Sequence, residues 1–137
     1  MKVLLDTNVV LDAIARRKPF YLDAQKIINF VLDNKLEGYI TANSITDIYY
    51  IARKHLNQTD LRSTMRSLFV VFGIIDVLGS DCHKALDIPL NDYEDALLVV
   101  CSDKTVIDYI ITRDEEFLHE TNSPVPVISP ADFIQKL

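Results

Sequence analysis

The sequence contains no hydrophobic run that approaches the roughly 18 uninterrupted apolar residues of a membrane-crossing helix, which argues against a helical membrane protein. The chain enters "KVLLD" at once, without the basic and apolar regions of a signal peptide, so a cytoplasmic protein is expected. Cysteine is scarce: Cys82 and Cys101 form no CxxC pair and accompany no histidine at zinc spacing. Disulfide scaffolds and zinc ribbons are therefore disfavoured, and idle thiols in a reducing compartment are expected. Linkers rich in glycine, serine or proline, low-complexity segments and internal repeats are also missing. Nothing divides the 137 residues, and one domain spanning 1–137 is expected. Positive charge is in deficit as well, with Lys+Arg 14 against Asp+Glu 20 and a net charge of −6. A protein that holds nucleic acid by a basic surface is disfavoured on that balance. The objection weakens if acids gather on divalent cations, since two bound Mg²⁺ would bring −6 to −2.

What remains is a soluble globular composition, 49% apolar and 25% charged. Short apolar runs, "KVLL", "GYIT", "IIDVL", "DYIIT" and "VPVIS", lack strict alternation, as strands covered on both faces do. Helical spacing fills the intervals. Ala24, Ile27, Ile28 and Val31 follow Pro19, which suits a first-turn position; Ile45, Ile48, Tyr49, Ala52 and Leu56 form a second set. Leu61, Met65, Leu68, Phe69 and Phe72 follow a Thr59 cap. Asn91 with Glu94 reads as a capping box before "DYEDALLVVCS", and Ser129-Pro130 opens a last short helix. The alternation predicts a three-layer α/β/α sandwich around a central, mostly parallel sheet. Ligands in such folds sit outside the C-terminal ends of the strands.

Asp6, Asp47, Asp95 and Asp114 stand out at those ends. Each has an ordinary alternative. Asp6 and Asp114 make good N-caps, and Asp47, the weakest of the four, fits a loose capping box with Ser44 or a solvated face. Asp95 is the sharpest, because "ALLVVC" after it is apolar all round and marks a central buried helix. Asp92 and Glu94 are candidate auxiliaries to it, with Asp92 expected half-exposed at the mouth of the crevice and Glu94 as the capping-box partner. Carboxylates about 4–6 Å apart repel by roughly 3–4 kcal/mol per pair at an effective dielectric near 20. Some must protonate, or a cation must enter. Hard oxygen ligands of this kind select Mg²⁺ or Mn²⁺ over zinc.

In "LLDTNVVLD", "ITANSITDIYYIA", "DYEDALLVVC", "DYIITRDEEF" and "VPVISPADFI" the chain resembles PIN domains, small metal-dependent ribonucleases that include VapC-type toxins. The resemblance runs over essentially the whole length. It implies a Mg²⁺- or Mn²⁺-dependent ribonuclease, with the family's acidic positions on Asp6, Asp47, Asp95 and Asp114. It places Thr112 and Asn8 as partners that fix the carboxylates, with Asp92 beside them. The second acid is more often Glu in the family, so the shorter Asp47 needs a shifted helix or a bridging water. The resemblance also implies an RNA substrate, a small antitoxin protein and a homodimer. Arg16, Arg17 and Arg113, with Arg53 and Lys54, are candidates for the flank of the crevice that meets RNA, while Asp12 is expected to be solvated. Two rival readings stand beside this one. A catalytically silent PIN-like binding module would keep the fold without the reaction. A phosphoaspartate phosphatase or receiver domain also begins with a strand-end Asp, but the phosphatase pattern wants a second Asp where Asn8 stands.

Overall fold

Alternate side chains of the first apolar run enter two different cores. In the computed structural model, which describes residues 1–137, β1 (Lys2–Leu5) sends Val3 and Leu5 into one hydrophobic cluster and Leu4 into another. All three are fully buried. A strand covered on both faces gains nothing from alternating polar with apolar residues, which is why the run looks continuous.

The chain then passes through α1 (Thr7–Ile14), α2 (Tyr21–Leu32), β2 (Glu37–Thr41), α3 (Ala42–Ala52), α4 (Gln58–Val71) and β3 (Gly73–Ile75). It continues through α5 (Gly79–Ala85), α6 (Tyr93–Lys104), β4 (Tyr109–Ile111), α7 (Glu115–Leu118), β5 (Val127–Ile128) and α8 (Pro130–Gln135). Every strand pair is parallel, in the order β3-β2-β1-β4-β5. The five expected strands all form, and "mostly parallel" becomes wholly parallel. Register keeps the two cores apart: Leu4 pairs with Ile110 toward one, Leu5 with Ile111 toward the other. Helices α1 to α4 and α8 cover one face, and α5, α6 and α7 cover the other, giving the expected three layers. The strand order reverses between β1 and β4. Their C-terminal ends therefore open a crevice at the switch point.

Several helix starts differ from expectation, each for a local reason. Asn57 rather than Thr59 caps α4, its side chain accepting from the Asp60 N–H at 2.8 Å. Asp92 rather than Asn91 caps α6, accepting from the Asp95 N–H at 3.1 Å, so no capping box forms with Glu94. Pro19 lies before the Phe20 cap of α2. Ser129 does cap α8, with Pro130 in its first turn. The short α5 has no counterpart in the sequence reading. Its first turn is stitched by Asp81, whose carboxylate accepts from the Leu78 N–H and from Lys104 Nζ.

Candidate active site

Asp6 stands where β1 ends and α1 begins, and it caps that helix. Its Oδ1 accepts from the Thr7 N–H at 2.8 Å, and its Oδ2 from the Thr112 hydroxyl at 2.9 Å. Thr112, fully buried just beyond β4, is a junction. Its Oγ1 also accepts from the Asp114 N–H at 3.1 Å and from Asn8 Nδ2 at 3.5 Å. Asp114 in turn caps α7, accepting from the Glu116 N–H at 3.1 Å. One hydroxyl thus joins the ends of β1 and β4 and holds Asp6, Asn8 and Asp114 together.

Asp95 reaches the same crevice from the first turn of α6 and is 7% exposed. Burial first, then the negative charges of Asp92, Asp6, Asp114 and Glu116, push its carboxyl from an ordinary 3.8 up to about 8. Asp6 is also raised. Burial is the main cause, offset by its bonds from Thr112 and Thr7 and reinforced by Asp114 and Asp92. The crevice therefore concentrates negative charge in a desolvated place.

Asp47 is set apart from this group. Because α3 begins at Ala42, Asp47 lies in the second helical turn rather than the first, and Ser44 bonds Thr41 at 2.9 Å instead of joining a capping box. Its charge is felt by Glu94, whose carboxyl is raised by partial desolvation and then by Asp47, Asp92 and Asp6. Glu94 thus feels both Asp47 and the central acids, in keeping with its expected place as an auxiliary of Asp95 and not with the capping box. Glu116 was missed. A hint lay in the sequence, since Glu116 follows Asp114 by two residues in "TRDEEF", at the same strand end.

The basic candidates divide. Arg16 is exposed, with a backbone φ of 49° after the end of α1. Arg17 and Arg113 close on Asp12 from two sides. Asp12 is 1% exposed, which corrects the expectation that it is solvated. Arg53 and Lys54 do not flank the crevice. They follow α3, whose 11 residues lead about 16 Å away from the strand ends. Cys101 is buried, with a thiol pushed up to about 11 chiefly by that burial, and Cys82 is free, in keeping with idle thiols. The three histidines are exposed.

The donor set suits a hard cation by its chemistry. It comprises carboxylates and an amide oxygen, while the Thr112 hydroxyl is fully engaged in holding them. The amide oxygen, Asn8 Oδ1, is buried without a hydrogen-bond partner. Such an acceptor beside raised carboxylates fits a hydrated divalent ion, which brings positive charge and donating water together. The fit is one of composition: no three acidic, histidine or cysteine side chains stand in an ion-holding arrangement.

A parallel sheet of order 3-2-1-4-5 with an acidic crevice at its switch point defines the class. A family model for the PIN domain matches residues 2–116, and the chain belongs to that family. Among curated proteins, Ribonuclease VapC1 of Aquifex aeolicus is 22% identical over 98% of this chain and 94% of the relative. Among solved structures, VapBC2 from Rickettsia felis, bound to a promoter DNA fragment, matches with a TM-score of 0.68 at 14% identity, covering 94% of this chain and 98% of that one. VapC20 of Mycobacterium tuberculosis, described as a sarcin-ricin-loop-cleaving toxin, matches with a TM-score of 0.67 at 10% identity, covering 84% and 92%. No helix of this chain is long and apolar enough to cross a membrane.

Proposed function

We propose that this chain is a divalent-metal-dependent ribonuclease that hydrolyses RNA phosphodiester bonds and serves as the toxin of a toxin–antitoxin pair. The observation that carries the reading is the concentration of Asp6, Asp95 and Asp114 at the switch point, where burial and mutual repulsion raise Asp6 and Asp95. The PIN membership and the VapC relatives supply the activity to which that site is matched.

Asp6, Asp95 and Asp114 would hold Mg²⁺ or Mn²⁺, with Asp47 joining directly or through water. The ion, when bound, lowers the pKa of a water and stabilises charge on phosphate oxygens. The chain's own residues do the rest. Thr112 fixes the orientation of Asp6 by donating to its Oδ2. Asn8, bonded to Thr112, keeps an acceptor free inside the site. Asp92 holds the start of α6 and adds negative charge at the mouth. Arg16, Arg17 and Arg113 meet the RNA backbone. The partner is a small antitoxin protein, the working form a homodimer of single-domain chains spanning 1–137, and the compartment the cytoplasm.

The test is cleavage of single-stranded RNA by the purified chain in Mn²⁺. Activity disappears in EDTA and in Asp6→Asn, and expression of the active chain arrests growth. A folded chain that leaves RNA intact across Mg²⁺ and Mn²⁺ titrations sinks the nuclease reading and favours the silent module.

A further inference from the structure

Asp12 is the most enclosed acid beside the crevice, and two guanidinium groups share it. Arg113 donates from Nε to Oδ2 at 2.6 Å and from Nη2 to Oδ1 at 3.1 Å. Arg17 donates from Nε to Oδ1 at 2.8 Å and from Nη2 to the Asn8 carbonyl at 3.2 Å. The Arg113 guanidinium also lies over the Phe20 ring, 4.2 Å from its centroid. Two cations on one anion leave a net positive charge of one. That charge sits on the flank of an acidic crevice, tied to it through Asn8 on one side and the Thr112–Asp114 turn on the other.

A staple between α1 and that turn would need a single cation. The second arginine is surplus to such a role, and neither is used up. Their side chains are 32% and 29% exposed, and each guanidinium has more donors than these bonds occupy. A carboxylate that fixes one edge of an arginine presents the other edge in a set orientation, the geometry suited to phosphate. Without Asp12 the two like charges would repel, and the neighbouring acids would compete for them.

Resting on the ribonuclease reading, we propose that Asp12 is a positioning residue that fixes Arg17 and Arg113 as a paired grip for the phosphates of RNA entering the crevice.

The experiment measures binding of a fluorescent single-stranded RNA in Ca²⁺ across a salt series, together with thermal melting and Mn²⁺-dependent cleavage. Asp12→Asn is expected to weaken binding about tenfold and to flatten the dependence of log affinity on log salt by about one unit. Its kcat stays within about twofold and its Mn²⁺-induced rise in Tm is kept. Arg113→Lys, which retains charge but loses the fork, weakens binding by about threefold and adds nothing on top of Asp12→Asn. A variant that melts lower while binding RNA with unchanged affinity and salt slope overturns the proposal and leaves a staple. So does loss of kcat with unchanged KM, which would place Asp12 behind the acids instead. If Asp12→Asn does not fold, unchanged affinity in Arg113→Lys overturns the proposal by itself. Absence of RNA binding in the parent chain overturns it too. An affinity difference that persists without any cleavage supports the grip and removes only the nuclease reading.

Discussion

Asp81 and Asp95 occupy comparable positions and reach opposite electrostatic states. Both lie in the first turn of neighbouring helices packed on the same side of the sheet, at 2% and 7% exposure. Asp81 accepts from Lys104 Nζ at 2.6 Å and from the Leu78 N–H at 2.8 Å, and these bonds hold its carboxyl below the usual range. Asp95 meets only other acids among its leading charges and is pushed up to about 8. Lys104 is in the last turn of α6, the same helix that carries Asp95 in its first. The chain thus has a lysine on that helix and commits it to Asp81. Burial is common to both; what separates them is whether the protein supplies the counter-charge. A buried acid answered from within is a structural joint, whereas one without a counter-charge must hold a proton or meet a cation from outside.

The largest test of that contrast is catalytic. Asp95→Asn should lower Mn²⁺-dependent RNA cleavage by about a hundredfold or more, because on the proposed reading it takes away one of the carboxylates that would hold the ion. Asp81→Asn should leave cleavage within a few-fold in the fraction that remains folded. Kinetics on the two purified variants decide this, and equal losses would dissolve the distinction.

Next in size is the response of stability to pH and metal, where the two residues have opposite signs. Asp95 has a raised pKa in the folded state, so its contribution is full below an unfolded value near 3.8 and is lost as pH rises toward about 8. Asp81 has a lowered pKa, so its contribution is present above the ordinary carboxylate range and is lost as pH falls through the folded value. Melting curves from pH 3 to pH 9 should therefore decline on both sides. Asp95→Asn should flatten the upper limb and raise Tm at pH 8 by several degrees. Mn²⁺ at about 100 times its dissociation constant should add about 2.7 kcal/mol at that pH, an effect that Asp95→Asn largely removes. A smaller effect is expected of Lys104→Met. It leaves Asp81 without its cation, lowers Tm by a few degrees at neutral pH, and makes the acid limb shallower, with no change in Mn²⁺ response.

Much of this architecture can be read in the amino-acid order, for identifiable reasons. Strands buried on both faces, such as "KVLL" and "DYIIT", declare themselves by composition alone, and their alternation with helices implies the parallel sheet. Topology then brings the strand-end residues Asp6, Thr112 and Asp114 together, although more than a hundred positions separate the first from the others. Capping and ion binding also prove not to be alternatives. Asp6, Asp92 and Asp114 each cap a helix through Oδ1, and Asp6 and Asp92 still add their negative charge at Asp95. Asp12 was illegible because Arg113, one of its two partners, lies 101 residues away, and no spacing rule encodes that pairing. The short α5 escaped notice because its first turn depends on a lysine 23 residues on, not on its own periodicity.

Glu94 offers the finest division between answered and unanswered acids, because it feels the charges of both Asp47 and the central group. It is exposed, yet partial desolvation and then Asp47, Asp92 and Asp6 raise its carboxyl, so it takes part in the same repulsion at its rim. An acid there can act in two ways. As part of the ion's surroundings it would strengthen metal binding, directly or through water to Asp47. As a bystander it would merely add repulsion. Glu94→Gln keeps the shape and removes the charge. In the first case Mn²⁺ affinity, measured by titration of Tm or by calorimetry, should fall about tenfold, in the range typical of residues that support ligands. Cleavage at saturating Mn²⁺ should fall less. In the second case affinity should hold or improve slightly while Tm rises. The first outcome is the one expected if the acids around Glu94 share one ion. That outcome would also explain how a chain with the shorter Asp47 on α3 completes an acid set around one ion.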